Sequence, residues 1–69
     1  MPHIAITMYP GRTQEQKQAL ANKVQKLVEE ELGVDKKVIS VSIEDVPVDK
    51  WSEHMKQFPD EIMYVKPGV

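Results

Sequence analysis

Pro2, Arg12, Ser40 and Trp51 are the residues of this 69-residue chain whose types and positions could do chemistry. Pro2 follows Met1, and methionine aminopeptidases generally remove a first methionine that precedes a small residue. Removal would leave Pro2 with a free secondary amine. An α-amino group titrates near pH ~8, and an apolar pocket or a nearby cation lowers its pKa. Pro2 is therefore a candidate general base or amine nucleophile, or else only the start of an edge strand, where a missing N–H is harmless.

The other three residues could bind a ligand. Arg12 is the only arginine, and its guanidinium fork suits a carboxylate better than a lysine does. Trp51 is the only tryptophan, and its apolar face could wall a pocket and lower an amine pKa there. Ser40 could donate a hydrogen bond to a ligand. The alternatives are a solvated or intersubunit charge for Arg12, core or interface packing for Trp51, and no role for Ser40.

No other catalytic or cofactor-binding pattern is present in the sequence. There is no cysteine, and His3 and His54 lie too far apart for a metal-ligand spacing. A Ser-His-Asp arrangement and a glycine-rich phosphate loop are also lacking. His3 is interpreted as a strand or interface residue rather than an acid or base. The sequence thus predicts neither a metal nor a cofactor.

The elements that must position these residues begin with a strand over 3–8, in which Ile4, Ile6 and Met8 alternate with smaller or polar residues. A turn over 9–12 follows, where Pro-Gly breaks the strand and where Arg12 lies. Thr13 with Gln16 forms a capping-box pattern. We expect a helix from Thr13 to Leu32, closed by Gly33. Its apolar stripe is Leu20, Val24, Leu27, Val28 and Leu32.

A second strand is predicted over 38–46, so the chain reads as a βαβ unit with two parallel strands. Asp49 is a plausible N-cap for a short helix over 50–57, and Ile62–Val65 is strand-like. The predicted fold class is therefore α/β: two parallel strands and one long helix, with a short C-terminal helix and a strand-like tail. Two strands are too few for a stable sheet, so oligomerisation should complete the fold.

Length and composition predict a single domain over 1–69 whose core is too small for independent stability. Without disulfides or a metal, oligomerisation is the remaining way to stabilise it. The net charge of −2 argues against a nucleic-acid partner. No apolar run approaches the ~20 residues that span a bilayer, and no signal peptide is evident, so we expect no membrane partner and a cytoplasmic location.

From Pro2 to about Trp51, the chain resembles the 4-oxalocrotonate tautomerase family. The resemblance rests on the Met-Pro start and on the run Gly-Arg-Thr-Gln-Glu-Gln-Lys at 11–17. It implies a tautomerase/MIF-like fold and a cofactor-independent keto–enol tautomerase with Pro2 as the general base. It also implies that Arg12 binds a substrate carboxylate, often across a subunit boundary. Trp51 would make the pocket apolar, in place of the phenylalanine of the founding members.

Two departures from the founding members refine these expectations. Ser40 stands where they carry a second arginine, which disfavours dicarboxylates such as 2-hydroxymuconate and favours a monoacid such as phenylpyruvate. The Lys-Pro-Gly tail at 66–68 is similar to that of the small dimeric tautomerases, so we expect a homodimer, with a homohexamer as the alternative. Other readings are hydratase, dehalogenase or iminium chemistry at Pro2, and a non-catalytic oligomeric interaction domain.

Overall fold

The computed structural model describes residues 1–69 and has a parallel two-stranded sheet with one long helix between the strands. Strand β1 (His3–Met8) leads to helix α1 (Gln14–Leu32), strand β2 (Ser40–Asp45) and helix α2 (Val48–Met55). Short 3-10 helices occupy Lys36–Val38 and Asp60–Ile62. The strands pair from His3 opposite Ser40 to Met8 opposite Asp45. The α/β class and the parallel βαβ topology predicted from the sequence are confirmed.

Both ends of α1 are fixed by the local chemistry that the sequence indicated. Thr13 Oγ1 accepts a hydrogen bond from the Gln16 backbone N–H at 3.1 Å, and the Gln16 side chain accepts one from Thr13 N–H at 2.9 Å. Gly33 adopts the left-handed conformation at φ 65°, and its N–H donates to the Glu29 carbonyl. Glycine takes this φ without steric cost, so the helix stops here and the chain turns back toward the sheet.

The single chain has very little core. Only Ile39 and Val46 are buried, and they lie immediately before and after β2. Val24 and Val28 of α1 are half-buried, but Leu20, Leu27 and Leu32 of the predicted stripe are 38%, 57% and 62% exposed. A two-stranded sheet is too narrow to cover the whole apolar side of α1, so this surface is left without a partner in one chain.

The structure corrects the start of the second strand. Val38 belongs to the 3-10 helix, and the strand begins two residues later than predicted, at Ser40. Asp35 caps the 3-10 helix through the Lys37 N–H, and Gln25 of α1 donates to the Lys36 carbonyl at 3.0 Å. These contacts satisfy the backbone locally, so the chain turns before the strand pairing begins.

The prediction for the second helix was displaced by two residues. Helix α2 begins at Val48 after Pro47, so Asp49 lies in its first turn rather than at its N-cap. The strand-like tail was also wrong in its secondary structure: Ile62 ends a 3-10 helix, and Tyr64 and Val65 are 94% and 86% exposed without strand pairing. A strand needs a partner, and this segment pairs with neither β1 nor β2.

Neither α1 nor α2 combines the length and the apolar character that a helix needs to cross a bilayer.

Candidate active site

An open cleft of about 650 Å³ lies at the carboxyl end of β1. Gly11, at φ 126°, allows the chain to turn sharply there and carries Arg12 to the rim. The cleft is lined by the end of β1, by the loop that follows it and by the first turn of α2, which carries Trp51. The lining residues are Thr7, Met8, Tyr9, Pro10, Gly11, Arg12 and Trp51. The carboxyl ends of parallel strands are common ligand sites in α/β folds.

Two aromatic rings form one wall of the cleft. Trp51 is half-buried and Tyr9 is half-exposed, and their ring centroids lie 5.2 Å apart at an interplanar angle of 84°. This edge-to-face arrangement is favourable because a positive ring edge meets a negative ring face. Sequence reasoning selected Trp51 but missed Tyr9, although its place beside the Pro-Gly turn was the available signal.

The charges around the cleft leave one guanidinium unpaired. Lys17 pairs with Asp45 at 2.8 Å, whereas Arg12 makes no ion pair in the chain. Arg12 is exposed and borders both the main cleft and a smaller adjoining pocket beside Lys17 and Leu20. A cation beside an aromatic wall suits an anion that carries an apolar tail. No group of His, Asp and Glu side chains is arranged to hold a metal ion.

A polar cluster that sequence reasoning missed supports the cleft from α2. His54 Nε2 lies 3.0 Å from Thr7 Oγ1, and its Nδ1 lies 2.9 Å from the side-chain nitrogen of Gln57. The imidazole is half-buried between Trp51 and Phe58, with ring centroids at 5.6 and 5.4 Å. The spacing of Trp51 and His54 at i and i+3 places both on one face of α2, which was the signal for this cluster, and Phe58 follows shortly after the helix ends.

Pro2 and Ser40 lie together at the opposite end of the sheet. The Pro2 carbonyl accepts a hydrogen bond from Ser40 N–H at 3.2 Å. The Ser40 hydroxyl is hydrogen-bonded to His3 Nδ1 at 2.7 Å, and His3 Nε2 is 3.0 Å from Ser42 Oγ. Ahead of Pro2, Met1 is 99% exposed. His3 is thus a strand residue that holds two serine hydroxyls on one sheet face.

The selected residues therefore form two pairs in a single chain, Arg12 with Trp51 and Pro2 with Ser40. The pairs lie at opposite ends of β1, which spans His3–Met8. Strands rise about 3.3 Å per residue, so roughly 20 Å separates Pro2 from the rim of the cleft. One molecule of substrate cannot touch both pairs of the same chain at once.

Comparisons with known proteins agree on one family. A family model described as "Tautomerase enzyme" matches residues 2–65. The chain is 38% identical over 55 residues to a probable tautomerase of Xylella fastidiosa, covering 80% of this chain and 67% of the relative. It is 37% identical over 60 residues to the 2-hydroxymuconate tautomerase of Bacillus subtilis, covering 87% and 97%.

A solved structure supports the same fold. The chain superimposes on TomN, a 4-oxalocrotonate tautomerase homologue in the tomaymycin biosynthetic pathway, with a TM-score of 0.70 over 86% of this chain and all of the other. At 23% identity, this likeness concerns the fold alone. The family match over nearly the whole chain and the named relatives go further, and they show that the chain belongs to the tautomerase family and is a tautomerase-type isomerase.

Proposed function

We propose that this protein is a cofactor-independent keto–enol tautomerase that acts on a 2-oxo or 2-hydroxy-enoic monoacid such as phenylpyruvate, with the Pro2 amine as its general base. The observation that carries the proposal is the cleft itself. It places an arginine without an ion pair beside the edge-to-face pair of Trp51 and Tyr9. This arrangement complements a molecule with a carboxylate at one end and a flat apolar group at the other.

Arg12 binds the substrate carboxylate in this proposal. Its guanidinium presents two parallel N–H donors, which match the two carboxylate oxygens. It also offsets the negative charge that grows on the 2-oxygen as the 2-hydroxyl proton leaves. The aromatic wall holds the side chain of the substrate and keeps water from the reacting carbon.

The base comes from a second copy of the chain. Pro2 lies roughly 20 Å from the cleft of its own chain, as the strand rise requires. The exposed leucines of α1 and the small core mean that a partner subunit is needed for stability in any case. A two-fold arrangement that brings the Pro2 end of one sheet to the Arg12 end of the other completes the site. We favour a homodimer, with a homohexamer as the alternative.

Ser40 shapes the choice of substrate beside Pro2. It is neutral, and its hydroxyl is already hydrogen-bonded to His3, so this end of the site brings no second permanent cation. A second carboxylate would lose hydration there without gaining an ion pair. Monoacids are therefore preferred over dicarboxylates, and Ser40 contributes at most a hydrogen bond to the substrate.

The proton moves through one group. With Met1 removed, the neutral Pro2 amine accepts the proton of the 2-hydroxyl while C2=O forms, and the adjacent carbon takes a proton from the prolinium. Pro2 returns to its neutral state, so no cofactor or net redox change is needed. An amine that titrates near neutrality suits such a transfer, because it is both a competent base and a competent acid.

Ketonisation assays on the enol of phenylpyruvate and on 2-hydroxymuconate, run side by side, test the proposal. Intact mass spectrometry of the native protein should show that Met1 is absent. We expect a higher kcat/KM for phenylpyruvate, and a loss of roughly 10²–10⁴-fold in the Pro2→Ala variant. Retention of Met1 in native material, or an undiminished rate in Pro2→Ala, would remove Pro2 from the mechanism. Reductive trapping of a substrate adduct on Pro2 would instead support iminium chemistry.

A further inference from the structure

The geometry points to Thr7 as a further substrate-binding residue of the cleft, and to His54 as the positioning residue that fixes the direction in which the Thr7 hydroxyl donates. The inference rests on the proposed function, since it takes the cleft beside Arg12 as the place where the substrate carboxylate binds. Thr7 and Arg12 line the same cleft. The Thr7 hydroxyl would give this carboxylate a neutral donor in addition to the guanidinium.

The hydrogen bonds around His54 determine which of its nitrogens carries the proton. The side-chain nitrogen of Gln57 donates to the His54 carbonyl at 3.0 Å, which fixes the orientation of the amide. The same nitrogen lies 2.9 Å from His54 Nδ1. An amide nitrogen is only a donor, so Nδ1 must be the acceptor, and the neutral ring must carry its proton on Nε2.

The position of that proton decides what Thr7 can do. With Nε2 protonated, His54 donates to Thr7 Oγ1 at 3.0 Å, and the threonine oxygen is the acceptor. The hydroxyl proton of Thr7 is then free, because a hydroxyl can accept and donate at once. In the opposite tautomer, Thr7 would donate to Nε2 and have no proton for a ligand. Gln57 and His54 thus keep Thr7 as a donor.

The imidazole is held for this role from both sides. Its ring lies between those of Trp51 and Phe58, and it is half-buried. Aromatic contacts and two directional hydrogen bonds leave it little freedom to rotate. Groups that are fixed before the ligand arrives lose less entropy on binding, which makes each hydrogen bond more effective.

The His54–Thr7 hydrogen bond could instead have a purely structural role and only dock α2 on the sheet. Substitutions at Thr7 distinguish this role from substrate binding, because only binding requires the hydroxyl for a normal KM. We compare Thr7→Val, which keeps the shape but loses the hydroxyl, with Thr7→Ser, which keeps the hydroxyl. Ser42→Ala is the matched control, because it removes another hydroxyl that is hydrogen-bonded to a histidine on the same sheet face, away from the cleft.

We expect Thr7→Val to lower kcat/KM for phenylpyruvate roughly tenfold, mostly through a higher KM, because a hydrogen bond to a charged group is lost. Thr7→Ser should retain activity within about twofold, and Ser42→Ala should be unchanged. Adding His54→Phe to Thr7→Val should cause no further loss, because His54 acts through Thr7. Equal activity of Thr7→Val and wild type, or equal losses in Thr7→Val and Thr7→Ser, would overturn the inference.

A spectroscopic measurement tests His54 without reference to activity. Long-range ¹H–¹⁵N NMR of the wild-type oligomer, at a pH where the ring is neutral, should show the Nε2–H tautomer. Gln57→Leu should weaken this preference. The Nδ1–H tautomer in the wild type would refute the positioning role. If the wild type does not convert oxo acids, the proposed function fails while this result still stands, so the two failures can be distinguished.

Discussion

Two impaired variants should complement each other in mixed oligomers if the site is built from two chains. Pro2→Ala exchanges the secondary amine of the base for a primary amine without the ring and leaves Arg12, whereas Arg12→Ala removes the carboxylate-binding group and leaves Pro2. Each alone should be impaired. In a mixed oligomer, some sites receive Pro2 from one chain and Arg12 from the other, and these sites are fully wild type.

The expected recovery follows from the geometry. Because roughly 20 Å separates Pro2 from the Arg12 rim of its own chain, every complete site needs both groups from different copies. When equal amounts of the variants mix at random, half of the sites receive an intact Pro2 from one chain, and half receive an intact Arg12 from the other. About one quarter of all sites are then wild type, in a two-fold dimer and in a larger symmetric ring alike.

The magnitude is large enough to measure. Losing a charge-assisted carboxylate contact costs about 1.5–3 kcal/mol, and each 1.4 kcal/mol is about tenfold, so Arg12→Ala should lose roughly 10–100-fold in kcat/KM. Replacing Pro2 by alanine should cost up to roughly 10²–10⁴-fold, the whole contribution of a general base. Against this background, a rise to about 25% of wild-type turnover is unmistakable.

The assay co-expresses equal amounts of the two variants with different carboxyl-terminal tags and measures the unfractionated oligomers, whose composition native mass spectrometry verifies. A co-expressed pair of Pro2→Ala and the doubly substituted chain is the negative control, because it can form no complete site. Mixed oligomers no more active than the sum of their separate variants would refute a site shared between chains. Normal binding of phenylpyruvate by the Arg12→Ala variant would remove Arg12 from substrate binding.

Three further predictions concern the aromatic wall and the helix ends. Trp51→Leu should raise KM for phenylpyruvate more than for an aliphatic 2-oxo acid, whereas Trp51→Phe should preserve the ratio; equal changes for both acids would show that the ring does not contact the substrate side chain. Thr13→Ala should lower the free energy of unfolding by about 1 kcal/mol in urea titrations at fixed protein concentration, with Thr13→Ser close to wild type. Gly33→Ala should cost about 1 kcal/mol because of its left-handed backbone; no loss would mean that the helix end relaxes.

The parts of the fold that depend on local chemistry were predictable from the sequence. Thr13, Gln16 and Gly33 determine where α1 begins and ends through their own backbone and side-chain bonds, so a short stretch of sequence carries the information. The start of β2 was less predictable. Val38 has the β-branched side chain of a strand residue, but it ends a 3-10 helix. Asp35 and Gln25 stabilise this helix through hydrogen bonds to the backbone of the residues before Val38. Contacts from another element outweighed the local preference there.

The residues of the candidate site were predictable by type but not by grouping. The Pro-Gly turn placed Arg12 at a strand end, and Trp51 followed the second strand. Which of them meet depends on strand direction and length, which put Pro2 at the other end of the sheet. The His54 contact to Thr7 joins residues 47 positions apart, so no pattern in the neighbouring sequence reveals it.

Association of two copies of the chain would compensate for the small core and would also bring the two halves of the proposed site together. Only Ile39 and Val46 are buried in one chain, so a second copy would supply apolar cover, and in the proposed mechanism the same copy supplies Pro2 to the cleft. Both needs are met by the same association, so the concentration that stabilises the fold also completes the site. Subunits diluted below their dissociation constant should therefore lose activity and folded structure together. A folded, inactive monomer would show instead that α1 can leave its leucines in water without losing the fold.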